Sequence, residues 1–218
     1  MKKHTIIFDM DGVIFDTERI YRDIWIEIYA RHGYTMTNDI YKTLIGRDRK
    51  SIIDILKKRY GENYKGMEIF DECDYNLKKV IDDGKVPLKY GALEIFKYLK
   101  NNNYKMAIAT SSPKTKLEMQ LKIHALEDIF DAIICADDVT KSKPDPEIFL
   151  VAAKKLNSEP CDCIVIEDSP AGIKAAFNAG MTAIHVEDLV EADDDIKNYS
   201  EKQFKNLIQV MEYLNLRA

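Results

Sequence analysis

Two aspartates stand two residues apart directly behind a short apolar run, where Thr5-Ile6-Ile7-Phe8 leads into Asp9-Met10-Asp11-Gly12. Other apolar runs end in polar groups of a matching kind. Thr110, Ser111 and Ser112 follow Met106-Ala107-Ile108-Ala109, and Glu167, Asp168 and Ser169 follow Cys163-Ile164-Val165-Ile166. Lys143 falls in the loop Lys141-Ser142-Lys143-Pro144-Asp145-Pro146. Carboxylates crowded together repel one another, which is tolerable only if some are protonated or a cation sits among them. Mg²⁺ suits such a set because it takes oxygen ligands, keeps several waters and bridges to phosphate. Hydroxyls and an ammonium supply donors for phosphoryl oxygens. One aspartate beside the cation could attack phosphorus, and a second could protonate the departing alkoxide and then activate water. Gly12 lets the chain turn sharply directly behind the pair.

For these groups to meet, the elements carrying them must end on one rim. The run at residues 5–8 reads as a buried strand. From Thr17 to about Asp83 the pattern is helical throughout, with Ile20, Ile24 and Ile28 in one row and Tyr21, Trp25 and Tyr29 in the next. Breaks at Gly33, Gly46 and Gly61 divide that stretch into four helices, which make a small bundle rather than a sheet layer. After the Asp82–Pro87 punctuation, helical stripes alternate with strand-like runs ending near Ala109, Cys135, Ile166 and Val186, and a C-terminal helix is expected from about Glu201 to Leu214. The expected fold is therefore α/β, a doubly wound parallel sheet of five strands with a helical insertion after the first. Residues 1–15 and 86–218 form the core in this reading, and 16–85 the inserted cap. Ligands of open parallel sheets bind outside the carboxyl ends of the strands, which is where the polar sets fall.

Composition narrows the function classes. The 218 residues include 32 Lys plus Arg against 37 Asp plus Glu, a formal charge of −5 that argues against a nucleic-acid binder. No apolar stretch approaches the ~18–20 residues of a membrane helix, and Asp9 interrupts the apolar run near the start, so neither membrane insertion nor secretion is expected. Cys73, Cys135, Cys161 and Cys163 show no CxxC spacing, which fits a reduced, cytoplasmic protein. The four histidines are scattered and read as structural or exposed, Trp25 reads as cap core, and the acidic run from Glu187 to Asp195 reads as a solvated loop.

Asp9-Met10-Asp11-Gly12-Val13 resembles the first motif of the haloacid dehalogenase-like superfamily, and Thr110-Ser111, Lys143-Pro144 and Glu167-Asp168-Ser169 resemble its other three, in order. The helical insert is similar to the α-helical cap of the phosphoglucomutase-like and phosphoglycolate-phosphatase-like branch. That resemblance implies Asp9 as nucleophile and Asp11 as general acid/base. It implies Mg²⁺ held by Asp9, the main-chain carbonyl of Asp11, Asp168 and, through a bound water, Glu167. Thr110, Ser111 and Lys143 would bind the phosphoryl group.

Within this resemblance, Asp11 favours phosphoryl chemistry, since the superfamily's dehalogenases lack the second aspartate. The expected activity is a Mg²⁺-dependent phosphatase acting on a small phosphorylated metabolite: sugar phosphates first, then phosphoglycolate and nucleoside monophosphates. The alternative is a sugar-phosphate mutase. Those enzymes carry a histidine where this chain has Tyr21, which weakens that alternative. Gly46-Arg47-Asp48-Arg49 resembles the mutase cap loop, with Arg49 placed for a distal phosphate. A non-catalytic phosphoryl-binding module is the third reading, although neither aspartate, the lysine nor the metal carboxylate is missing. A monomer is compatible with the sequence.

Overall fold

The computed structural model describes residues 5–45, 49–189 and 191–216. It divides into two compact units, Met1–Asp16 with Pro87–Ala218, and Thr17–Val86.

In the first unit, β1 (Thr5–Phe8), β2 (Lys105–Ala109), β3 (Ala132–Ile134), β4 (Cys163–Glu167), β5 (Thr182–Val186) and β6 (Lys202–Phe204) form one sheet in the order β3-β2-β1-β4-β5-β6. Every pairing is parallel. Successive side chains of β1 point to opposite faces, and both faces are covered. Ile7 lies with Ala107 and Val165 in a core completed by Phe149, Ala152 and Ile173. Phe8 meets Phe96 and Phe130 edge-on at centroid distances of 5.4 and 6.2 Å. A strand buried on both sides has no polar position to spare, which is why this run lacks alternation.

The sixth strand departs from the sequence expectation. Residues 202–204 were expected in a C-terminal helix, but they add to the edge of the sheet, with His185 opposite Gln203 and Val186 opposite Phe204. The helix follows, over Leu207–Leu216. A short edge strand with exposed Lys202 and Gln203 carries no apolar signal, because one edge and much of its surface face water. The acidic run also does more than coat a loop. Asp193 caps the helix Asp194–Tyr199, its carboxylate accepting from the Ile196 N–H at 2.8 Å, and Asp194 and Asp195 fill the first turn, where negative charge is favourable.

The second unit holds α1 (Thr17–Arg31), α2 (Asn38–Lys42), α3 (Arg49–Tyr60) and α4 (Gly66–Asp82). Its core is aromatic. Trp25 stacks on Tyr29 at 5.3 Å and receives Phe70 and Tyr41 edge-on. Among the described residues, no helix is long and apolar enough to cross a membrane.

Candidate active site

Asp9 is the first residue beyond β1, and its N–H still donates to the Ile166 carbonyl at 3.0 Å, so the ladder to β4 holds its backbone in place. Its side chain is almost wholly buried. Lys143 reaches it from a loop 134 residues away, with Nζ 2.5 Å from Asp9 Oδ1 and 2.8 Å from Glu167 Oε1, and also donates to the Ala109 carbonyl at 3.2 Å. One ammonium thus serves two buried carboxylates and the end of β2. Burial above all, opposed by Lys143 and helped by the nearby charges of Glu167 and Asp11, raises the Asp9 carboxyl to about 7. Burial works against the charge on Lys143, but Asp9 and Glu167 outweigh it and hold its pKa above the ordinary lysine value.

Glu167 closes β4 and is 1% exposed. Its Oε2 accepts from the N–H and hydroxyl of Ser169 at 2.7 and 2.9 Å, so chain donors engage both oxygens. Ser169 in turn caps the helix Pro170–Asn178, accepting from the Gly172 N–H at 3.0 Å. Gly172 leaves the room Glu167 needs, since a Cβ there would lie 1.7 Å from Oε1. Lys143 and Ser169 are thus the partners of Glu167, the residue expected to face a cation through a bound water.

Asp11 sits in the tight turn after Asp9, closed by the N–H groups of Ile14 and Phe15 donating to the Met10 carbonyl at 2.9 and 3.0 Å. Its carboxylate accepts from Lys116 Nζ at 2.8 and 2.9 Å and from the Ser112 hydroxyl at 2.7 Å. Lys116 escaped the sequence reading altogether, and Ser112 was read only as one of several hydroxyls. The available signal was their spacing of one helical turn, at the start of the helix Lys114–Ile123. Asp168 lies on the other side of the same turn, its carboxylate packed against Gly12 at φ +76°.

Thr110 is 1% exposed at the end of β2, with Oγ1 accepting from the Ser112 N–H at 3.0 Å. Ser111 and Lys143 line a pocket of about 240 Å³ with Ser142 and Thr140. Glu147 braces that loop, accepting from the N–H groups of Thr140 and Lys141 at 3.0 and 2.8 Å. Asp9, Asp11, Thr110, Ser111, Lys143, Glu167 and Asp168 therefore all belong to the carboxyl-end rim of one sheet.

Arg49 lies in the helical unit. It pairs with Asp71, lies 3.9 Å from Asp74 and sits 4.6 Å over the Phe70 ring. Tyr21 donates to Asp74 in the same cluster. Burial and that bond push the Tyr21 hydroxyl far above its ordinary pKa. Gly46, Arg47 and Asp48 lie outside the described residues.

Among the described residues, no three His, Cys, Asp or Glu side chains gather as a metal-ligand set. Lys143 and Ser169 hold Glu167, and Lys116 and Ser112 hold the Asp11 carboxylate. The oxygen donors that would face a hard cation are Asp9, Asp168 and the Asp11 carbonyl. Water and a phosphoryl oxygen would have to complete that set, as Mg²⁺ ordinarily allows. The space kept clear of any side chain at Gly12, beside the Asp168 carboxylate, fits that donor set.

A sequence profile of the haloacid dehalogenase-like hydrolases matches residues 6–186. The phosphorylated carbohydrates phosphatase of Thermotoga maritima is 31% identical over 211 residues, covering 97% of this chain and 96% of that protein. The β-phosphoglucomutase of Bacillus subtilis is also 31% identical, over 228 residues and 97% of each chain. The crystal structure of a HAD hydrolase, family IA, variant 3, from Entamoeba histolytica superposes with a TM-score of 0.76 at 26% identity, covering 100% of this chain and 99% of that one.

Proposed function

The chain belongs to the haloacid dehalogenase-like hydrolase family, and from that membership we propose that it hydrolyses small phosphate monoesters, sugar phosphates first, by way of an aspartyl phosphate. The observation that carries the reading is the buried Asp9 carboxylate with the Lys143 ammonium 2.5 Å away. A carboxylate in that position is a nucleophile whose charge need not repel an anionic ester, because the lysine offsets it.

The step runs as a displacement. A carboxylate oxygen of Asp9 forms a bond to phosphorus, the bond from phosphorus to the ester oxygen breaks, and the electron pair leaves with that oxygen. Asp11, once protonated and released from Lys116, gives its proton to the departing alkoxide. Asp11 then takes a proton from water as the water oxygen attacks phosphorus, and the bond to Asp9 breaks to release inorganic phosphate. Thr110 and the amide of Ser111 orient the phosphoryl oxygens, while Glu167 holds Lys143. Asp9, Asp168 and the Asp11 carbonyl would hold Mg²⁺, which supplies charge neutralisation for the phosphoryl group when bound. The helical unit takes the part of a cap that selects the substrate.

A sugar-phosphate mutase is the second reading, favoured by the Bacillus subtilis relative. Two observations weigh against it. Tyr21 stands where a mutase has histidine, and its hydroxyl is spent on Asp74; Arg49 is already paired with Asp71. A phosphorus NMR time course with Mg²⁺, a hexose 1-phosphate and a trace of the bisphosphate separates the two. Inorganic phosphate is expected to grow, and the Asp9→Asn chain should release none. Conversion to the 6-phosphate without free phosphate would establish the mutase instead.

A further inference from the structure

His185 is a buried histidine that the reaction above does not use. It lies in β5, is 1% exposed and pairs in register with Glu167, the last rung of the β4–β5 ladder. One residue beyond that rung, the Asp168 carbonyl has run past the ladder, and His185 Nε2 lies 3.1 Å from it. A carbonyl can only accept, so Nε2 carries the proton and donates. Nδ1 is buried with no hydrogen-bond partner among the described residues. An apolar side chain would fill the space without stranding that nitrogen, so packing alone does not account for an imidazole here.

That N–H goes to the residue whose carboxylate packs against Gly12, in the turn that joins Asp9 to Asp11. The peptide after Asp168 also leads into Ser169, the cap of the helix Pro170–Asn178. We propose that His185 is a positioning residue for divalent-cation binding: its Nε2–H fixes the Asp168 main chain, and with it the place of the Asp168 carboxylate beside the Asp9 loop. This rests on the reading of Asp168 as a cation ligand. Hydrogen bonds one shell out from a metal ligand set its orientation, and losing one typically weakens metal binding by about 10- to 100-fold.

The test uses the full chain and Mn²⁺ alone, read by the electron paramagnetic resonance signal of free Mn²⁺, with no substrate or turnover involved. His185→Leu is expected to raise the Mn²⁺ dissociation constant about tenfold. His185→Gln, which keeps an N–H donor, should stay within about threefold of the parent. Should His185→Leu fail to fold by circular dichroism, His185→Met serves as the donor-free variant. A folded donor-free variant that binds Mn²⁺ like the parent overturns the inference, because a purely structural histidine would lower the melting temperature and leave the dissociation constant alone. Asp168→Asn is measured beside them. If Asp168→Asn also binds like the parent, the cation reading of Asp168 is what has failed, and the inference falls with it.

Discussion

Gly12 and Asp168 occupy a space that no side chain at residue 12 could share. A Cβ built on Gly12 would lie 2.3 Å from Asp168 Oδ2 and 2.7 Å from its carboxyl carbon, and the backbone there has φ +76°. The turn that follows β1 and the carboxylate that follows β4 are fitted to one another through a missing side chain. Gly172 repeats the device beneath Glu167. Each acid of the Glu167-Asp168 pair thus has its own glycine.

Gly12→Ala tests that fit. The left-handed backbone alone should cost about 1–2 kcal/mol with a β-carbon present, and the clash should displace Asp168. Thermal unfolding should show the loss of stability, and phosphate release should fall by about 100-fold or more, on the scale of a lost transition-state donor. Unchanged turnover would mean that Asp168 has no need to stand where it does.

Lys143→Ala leaves Asp9 and Glu167 buried without their shared cation. Removing one partner from a buried ion pair typically costs about 3–5 kcal/mol, and urea unfolding should show a loss of that order. Adding Asp9→Asn to the same chain should return part of it, since one of the two stranded charges is then gone. A double variant as unstable as the sum of the two single ones would show that the three groups are not coupled.

Asp11→Asn is expected to depend on the leaving group. General acid assistance is worth about 100- to 10,000-fold when a poor leaving group needs its proton. A hexose phosphate should therefore lose that much, and p-nitrophenyl phosphate far less. Equal losses for the two esters would place Asp11 outside proton transfer.

Glu147 gives a pH test away from the cation donors. The backbone N–H of Thr140, then that of Lys141, holds its carboxyl below the ordinary value of 4.5. A group whose folded pKa is depressed contributes stability above its unfolded pKa and loses it as the pH falls through the folded one. Melting temperature followed from about pH 5 to about pH 3 should fall less steeply for Glu147→Gln than for the parent, and the variant should be the less stable of the two near neutrality. Parallel curves would remove Glu147 as the brace of the Lys143 loop.

Some of this was legible in the residues themselves. Asp9, Asp11, Glu167 and Asp168 stand one or a few positions beyond runs such as Ile6-Ile7-Phe8 and Ile164-Val165-Ile166, and a parallel strand buried on both faces must be such a run. The end of the run then places the polar residue at the rim, and hydrophobic periodicity marks the helices between. β6 stayed hidden because an edge strand as short as Lys-Gln-Phe has little to bury, and the sheet rather than its own sequence makes it a strand.

By itself the sequence determined which acids and hydroxyls stand directly behind the strands, because local pattern sets where each strand stops. Tertiary structure alone decided how they pair. Lys143 spans 134 residues to Asp9 and turns Glu167 toward itself, Lys116 spans 105 to Asp11, and His185 reaches the Asp168 carbonyl from the neighbouring strand. A hydrogen bond forms between atoms about 3 Å apart whatever their separation along the chain, so these partners leave no periodic trace and exist only once the strands have closed into a sheet.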